Sequence, residues 1–163
     1  MVKFEVEIKE LPEHHVIGAR HIGPYPGIPN AIERLFGWAS PKGLVNFPET
    51  QLLAVYYDDP ETMQASELRS DACITVDNEH NTKEEDHEIH NFTIPGGKFA
   101  VAHVEIDQSQ YGEAWQKLHS WIAGSDSTLA TSPDRLCYEW YLNDPKEHPR
   151  KKHIVDICIP IDQ

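Results

Sequence analysis

Apolar and polar positions alternate from the start of the chain: Val2, Phe4, Val6 and Ile8 recur at period two, the spacing of a half-buried strand. His15-Val16-Ile17-Gly18-Ala19-Arg20 is a second strand signal. The period then changes. Ile28, Ala31, Ile32, Leu35, Phe36 and Ala39 sit at i, i+3, i+4, i+7, i+8 and i+11, one face of a helix bounded by Pro29-Asn30 and by Pro41-Lys42-Gly43. Strands predicted from Gln51 to Tyr57 and from Ala72 to Val76 complete a ββαββ unit. The second half follows the same order, with a helical stripe of Tyr111, Ala114, Trp115, Leu118 and Ile122 and closing strands from Leu136 to Leu142 and from Ile154 to Ile159.

The two halves match residue by residue. At an offset of 83, Pro12 meets Pro95, Ala19 meets Ala102, Ala31 meets Ala114, Leu35 meets Leu118 and Trp38 meets Trp121. After an insertion of two residues the offset is 85, and Asp59-Pro60 falls on Asp144-Pro145 and Asp71-Ala72-Cys73-Ile74 on Asp156-Ile157-Cys158-Ile159. An ordered series of this kind marks an internal repeat, spanning 1–78 and 86–163 with a polar linker at about 79–85. The expected fold is α+β: one domain over 1–163, with duplicated ββαββ (βαββ-type) units in pseudo-two-fold symmetry. The expected sheet is antiparallel and eight-stranded, with two helices flanking a central groove, because two half-sheets can hide their apolar faces by joining edge to edge. Concave apolar clefts of that kind take small ligands.

Composition narrows the function. A chain of 163 residues can bury roughly 68–70% of its unfolded surface and needs no disulfide or metal to hold it. Apolar residues are 39% and charged residues 25%, with no apolar run near the ~20 that cross a bilayer, and the alternating start is not a secretory signal; a cytoplasmic protein is expected. Fourteen Lys and Arg against 27 Asp and Glu leave a net charge of −13, which repels a phosphate backbone and excludes direct nucleic-acid binding. Cys73, Cys137 and Cys158 stand in apolar runs without C-x-x-C spacing, the pattern of buried free thiols. His14-His15 and His87-x-x-His90 are the closest histidine groupings and lack zinc spacing. Neither a nucleotide loop nor a nucleophile elbow is present, so no metal and no cofactor is expected.

The aromatic third strand of each half carries the candidate chemistry: Tyr56-Tyr57 in the first, Tyr138-Glu139-Trp140-Tyr141 in the second. Strand alternation puts Cys137, Glu139 and Tyr141 on one face and Tyr138, Trp140 and Leu142 on the other. Glu139 lies in an apolar run, where desolvation raises a carboxylate's pKa and an unpaired charge is costly. Three roles stay open: a solvated residue on an exposed face, a fixed anion that holds a lipophilic cation among aromatic rings, or a general acid or base. The ligand-binding set is Glu139, Tyr141, its repeat partner Tyr56, Trp115 (matched by Ile32), Tyr25 and Trp140, with Glu139 the catalytic residue only if the protein is an enzyme. Tyr25 sits in Gly23-Pro24-Tyr25-Pro26-Gly27, a loop leading into the first helix. Trp38 and Trp121, at equivalent helix positions, are assigned to core packing.

Arg20-His21-Ile22-Gly23-Pro24-Tyr25, Leu35-Phe36-Gly37-Trp38-Ala39, Tyr57-Asp58-Asp59-Pro60, Leu68-Arg69-Ser70-Asp71-Ala72-Cys73, Ile94-Pro95-Gly96-Gly97 and Tyr138-Glu139-x-Tyr141-Leu142-Asn143-Asp144-Pro145 together resemble the GyrI-like small-molecule-binding family. That family includes DNA gyrase inhibitory proteins and the effector-binding domains of AraC-type and multidrug-sensing activators. The resemblance implies a groove that binds small hydrophobic or cationic molecules, with Glu139 at its floor. A stand-alone member is expected, since the repeats leave no room for the helix-turn-helix domain of the activators and the chain carries −13. A sensor or sequestering protein is favoured over a hydrolase of cyclopropane-bearing electrophiles and over a protein that binds DNA gyrase.

Overall fold

The computed structural model describes residues 3–47, 49–60, 62–76, 89–124, 130–131 and 135–162. The polar linker at about 79–85, Val2 and His87 lie outside the described residues. In chain order the elements are β1 (Lys3–Leu11), β2 (His14–Ile22), α1 (Ile28–Ala39), β3 (Leu52–Tyr56), β4 (Arg69–Thr75), β5 (Ile89–Ile94), β6 (Gly97–Ile106), α2 (Tyr111–Gly124), β7 (Ala130–Thr131), β8 (Cys137–Tyr141) and β9 (His153–Asp162). The expected α+β class holds, and both helices start where the change of period places them.

The chain forms two compact units, one of Glu13–Pro95 and one of Met1–Pro12 with Gly96–Gln163. In the first, the antiparallel sheet runs β3-β4-β2-β5, with Ala54 opposite Ala72, Ala19 opposite Ala72 and Gly18 opposite His90. In the second it runs β1-β6-β9-β8, with Val6 opposite Ala102, Ala102 opposite Ile157 and Glu139 opposite Ile157. The short β7 adds to β9 at Ile161 and Asp162.

The units therefore exchange their first strands relative to the sequence repeats: β1 pairs in the unit built from the second half, and β5 in the unit built from the first. The matched prolines explain it. Pro12-Glu13 separates β1 from β2, and Pro95-Gly96 separates β5 from β6. Two-residue hairpin turns need φ > 0 at their first position, which the proline ring forbids. Each pair of strands is thus prevented from closing on itself as a tight hairpin.

In each unit the helix lays its apolar stripe on the sheet. Ile28, Ala31, Leu35 and Ala39 are the buried face of α1, which packs on β2 and β4. Ala114, Leu118 and Ile122 are buried in α2 and join Ala100, Ala102, Val104, Ile157 and Ile159 in one core cluster. Full burial of a Leu or Ile contributes roughly 1.5–3 kcal/mol relative to exposure. Trp38 and Trp121 depart from the expected core role: both lie beside the buried stripe. Trp121 is 37% exposed, and half-buried Trp38 carries the Lys42 ammonium over its ring. The rows Ala31, Leu35, Ala39 and Ala114, Leu118, Ile122 step by four residues and turn these indoles to the margin. The cysteines are free as expected, with Cys73 and Cys158 buried and Cys137 half-buried.

Gly97, the first residue of β6, has φ 134°, a conformation few side chains adopt. A Cβ there would also collide with the Arg135 guanidinium, which donates to the carbonyl of Ile161 at 2.7 Å and covers the Phe99 ring.

Candidate functional site

Glu139 is on β8 with only 3% of its surface exposed, so the reading that turns it to solvent is excluded. A carboxylate is tolerated there because donors converge on it. The Trp115 indole Nε1 donates to Oε2 at 2.5 Å, and the Tyr141 hydroxyl donates to Oε1 at 2.7 Å. Trp115 comes from α2; Tyr141, two residues along β8, projects from the same face as Glu139. Both rings pack half-buried against the α2 core. The result is a carboxylate oriented by two aromatic donors and walled by their rings, an arrangement suited to a cation with an apolar exterior.

One turn before Trp115 on α2 stands Tyr111, whose hydroxyl is 2.6 Å from His153 Nδ1 at the start of β9. Burial, with the nearby Glu139 charge, pushes the Tyr111 phenol far above its ordinary value. Burial lowers the pKa of His153, against a smaller opposing effect from Asp107.

The other candidates are placed elsewhere. Trp140 is on the opposite face of β8, tilted against Tyr138 at 6.2 Å between centroids, because consecutive strand residues point to opposite sides. Tyr56 and Tyr25 meet edge to face at 4.6 Å in the unit of α1. The Tyr25 hydroxyl donates to the Asp58 carbonyl at 2.6 Å, and burial first of all raises its pKa to about 12. It ties the loop before α1 to the end of β3.

That unit holds a second buried carboxylate that the sequence reading missed. Asp71 is fully buried. Arg20 Nε donates to its Oδ1 at 2.8 Å, while the Tyr57 hydroxyl and His90 Nε2, the latter at 3.1 Å, meet its Oδ2. Burial alone would raise the carboxyl's pKa; His90, Arg20 and Tyr57 together hold it below the usual carboxylate range. Its repeat counterpart is Asp156, which meets His103 Nδ1 at 2.7 Å across the matching strand pair. The duplicated cross-strand pair marks Asp71 as a structural clamp.

Laying the repeats on each other separates site from scaffold. The counterparts of Tyr111, Trp115, Glu139 and His153 are Ile28, Ile32, Ala54 and Leu68, all apolar, whereas Tyr141 is matched by Tyr56. This comparison would have found Tyr111 and His153 from the sequence.

Among the described residues no group of His, Cys, Asp and Glu is arranged to hold a metal ion. No helix there is long and apolar enough to cross a membrane.

Comparison with known proteins bears on the family and the fold. Residues 4–162 match the family described as the GyrI-like small molecule binding domain. The DNA gyrase inhibitor of Pectobacterium carotovorum subsp. carotovorum (strain PC1) is 33% identical over 144 residues, 88% of each chain. The fold is that of the EcmrR C-terminal domain, with TM-score 0.75, 17% identity and 98% of both chains covered. In the EcmrR–DNA complex the match has TM-score 0.79 at 15% identity; it covers 98% of this chain but spans 58% of that longer one. SAV2435, solved bound to tetraphenylphosphonium, gives TM-score 0.61 at 13% identity, with 97% of this chain and 94% of that one covered.

Proposed function

The chain belongs to the GyrI-like small molecule binding domain family, and from that premise we propose that it captures lipophilic cations at Glu139 without turning them over, as a sensor or sequestering protein inside the cell. The observation that carries this reading is the buried carboxylate gripped by Trp115 and Tyr141. Two aromatic donors fix the anion, so little reorganisation is needed when a cation arrives. Their faces add cation–π attraction, about 2 kcal/mol or more once desolvated. SAV2435, with the same fold, was solved with a cation of this kind.

The test is calorimetric titration with tetraphenylphosphonium and with neutral triphenylphosphine oxide, followed by mass spectrometry of the recovered compounds. Tight binding of the cation alone, recovered intact, supports the reading. Equal binding of both compounds removes the role of the charge. A recovered compound that has gained water would make the protein a hydrolase.

A second reading is favoured by the relative named as a DNA gyrase inhibitor: the acidic chain, at −13, binds DNA gyrase and competes with DNA. Inhibition of gyrase supercoiling that fades with rising salt supports it; full supercoiling in the presence of excess protein refutes it.

A further inference from the structure

We propose that Tyr111 and His153 complete the Glu139 site as its charge-selecting residues, so that a bound cation and a proton on His153 exclude one another. This rests on the reading that the site takes cations. Tyr111 and Trp115 occupy successive turns of α2 and project on one face. Trp115 grips Glu139, and Tyr111 meets His153 at 2.6 Å with the rings edge to face at 5.4 Å. The phenol keeps its proton and burial favours the neutral form of the half-buried imidazole, so the Tyr111 hydroxyl and Nδ1 share one hydrogen bond between neutral groups. The groups around His153 are Tyr111 from α2, Asp107 after β6 and Lys152, paired with Asp107 at 2.9 Å; the link to Glu139 runs through Tyr111, on which the Glu139 charge acts.

The repeat argues that this pair is not required by the fold. The counterparts Ile28 and Leu68 are buried and apolar in the other unit, and the polar replacements occur together with Trp115 and Glu139. A neutral His153 leaves Glu139 the dominant charge and the site selects cations. Protonation of His153 sets a positive charge against the ligand, and by reciprocity a bound cation must lower the affinity of His153 for its proton.

The experiment uses the full chain and tetraphenylphosphonium as probe. NMR titration of the His153 ring proton gives its midpoint in the wild type, with saturating probe and in Glu139→Gln; calorimetry gives Kd at about pH 7.5 and about pH 5.5 in the wild type and in His153→Leu. The expected results are a midpoint lowered by the probe and by Glu139→Gln, and a loss of affinity on acidification at least about fivefold greater in the wild type than in His153→Leu. Should the leucine variant fail to fold, His153→Gln supplies a neutral polar ring substitute. Identical pH profiles in wild type and variant overturn the proposal even when binding at neutral pH is tight. If the wild type binds no cation at all, the capture reading fails separately, and an unmoved His153 midpoint in Glu139→Gln then overturns the coupling by itself.

Discussion

Replacing Glu139 by Gln separates the charge of the site from its shape. Gln fills the same volume and can turn its carbonyl toward the Trp115 indole, a donor only, and its amide toward the Tyr141 hydroxyl, which can accept as well as donate. Two charge-assisted bonds become neutral ones, each weaker by about 1 kcal/mol. Removing a buried charge returns part of its desolvation cost, so the expected loss of folding stability is within about 1 kcal/mol. Binding responds differently. A cation at about 6 Å in an effective dielectric of about 20 gains roughly 2.8 kcal/mol from the carboxylate. Part of that gain is lost to desolvation, leaving about 1.5–2.5 kcal/mol, or roughly ten- to seventyfold in Kd. Urea unfolding and calorimetric titration with tetraphenylphosphonium, on the same preparations, read both quantities. Near-wild-type stability with at least tenfold weaker binding is expected. Unchanged Kd in a folded variant refutes the role assigned to Glu139, and loss of both in parallel would reduce it to a structural residue.

The remaining predictions concern the scaffold. Asp71→Asn should cost about 1.5–3 kcal/mol in urea unfolding, since Arg20, partly reached by solvent, loses its anion. Because Asp71 has a depressed pKa when folded, its contribution is present above the unfolded carboxylate value of about 3.9 and disappears as pH falls through the lower folded value; acid titrations of the wild type should show that loss and those of the variant should not. Gly97→Ala should lower stability by more than about 1 kcal/mol, from positive φ and the collision with Arg135 together, as read by the urea midpoint. Trp121→Ala should change stability by less than about 1 kcal/mol, since the indole lies at the stripe's margin; a loss of 3 kcal/mol or more, typical of a core aromatic, would return it to the core.

Much of the architecture was written in local pattern. Burial on one face imposes period two on a strand and 3.6 on a helix. Ile28 through Ala39 and Tyr111 through Ile122 therefore announced both helices, and the ordered matches from Pro12–Pro95 to Cys73–Cys158 announced the repeat. Glu139 was legible for a related reason: a lone carboxylate in an aromatic strand breaks the pattern that burial demands. Strand partners and side-chain meetings were not determined in that way, because they join residues far apart in sequence. Pro12 and Pro95 rule out tight hairpins, but only the folded sheets show that β1 goes to β6 and β5 to β2. The repeat marks Tyr111 and His153 as polar replacements, but they stand 42 residues apart, and only the packing of α2 against its sheet brings phenol and imidazole together. Asp71 likewise reads as one polar residue in a strand. Arg20, Tyr57 and His90 become its partners only across neighbouring strands, because burial of a charge is decided by what the tertiary structure places around it.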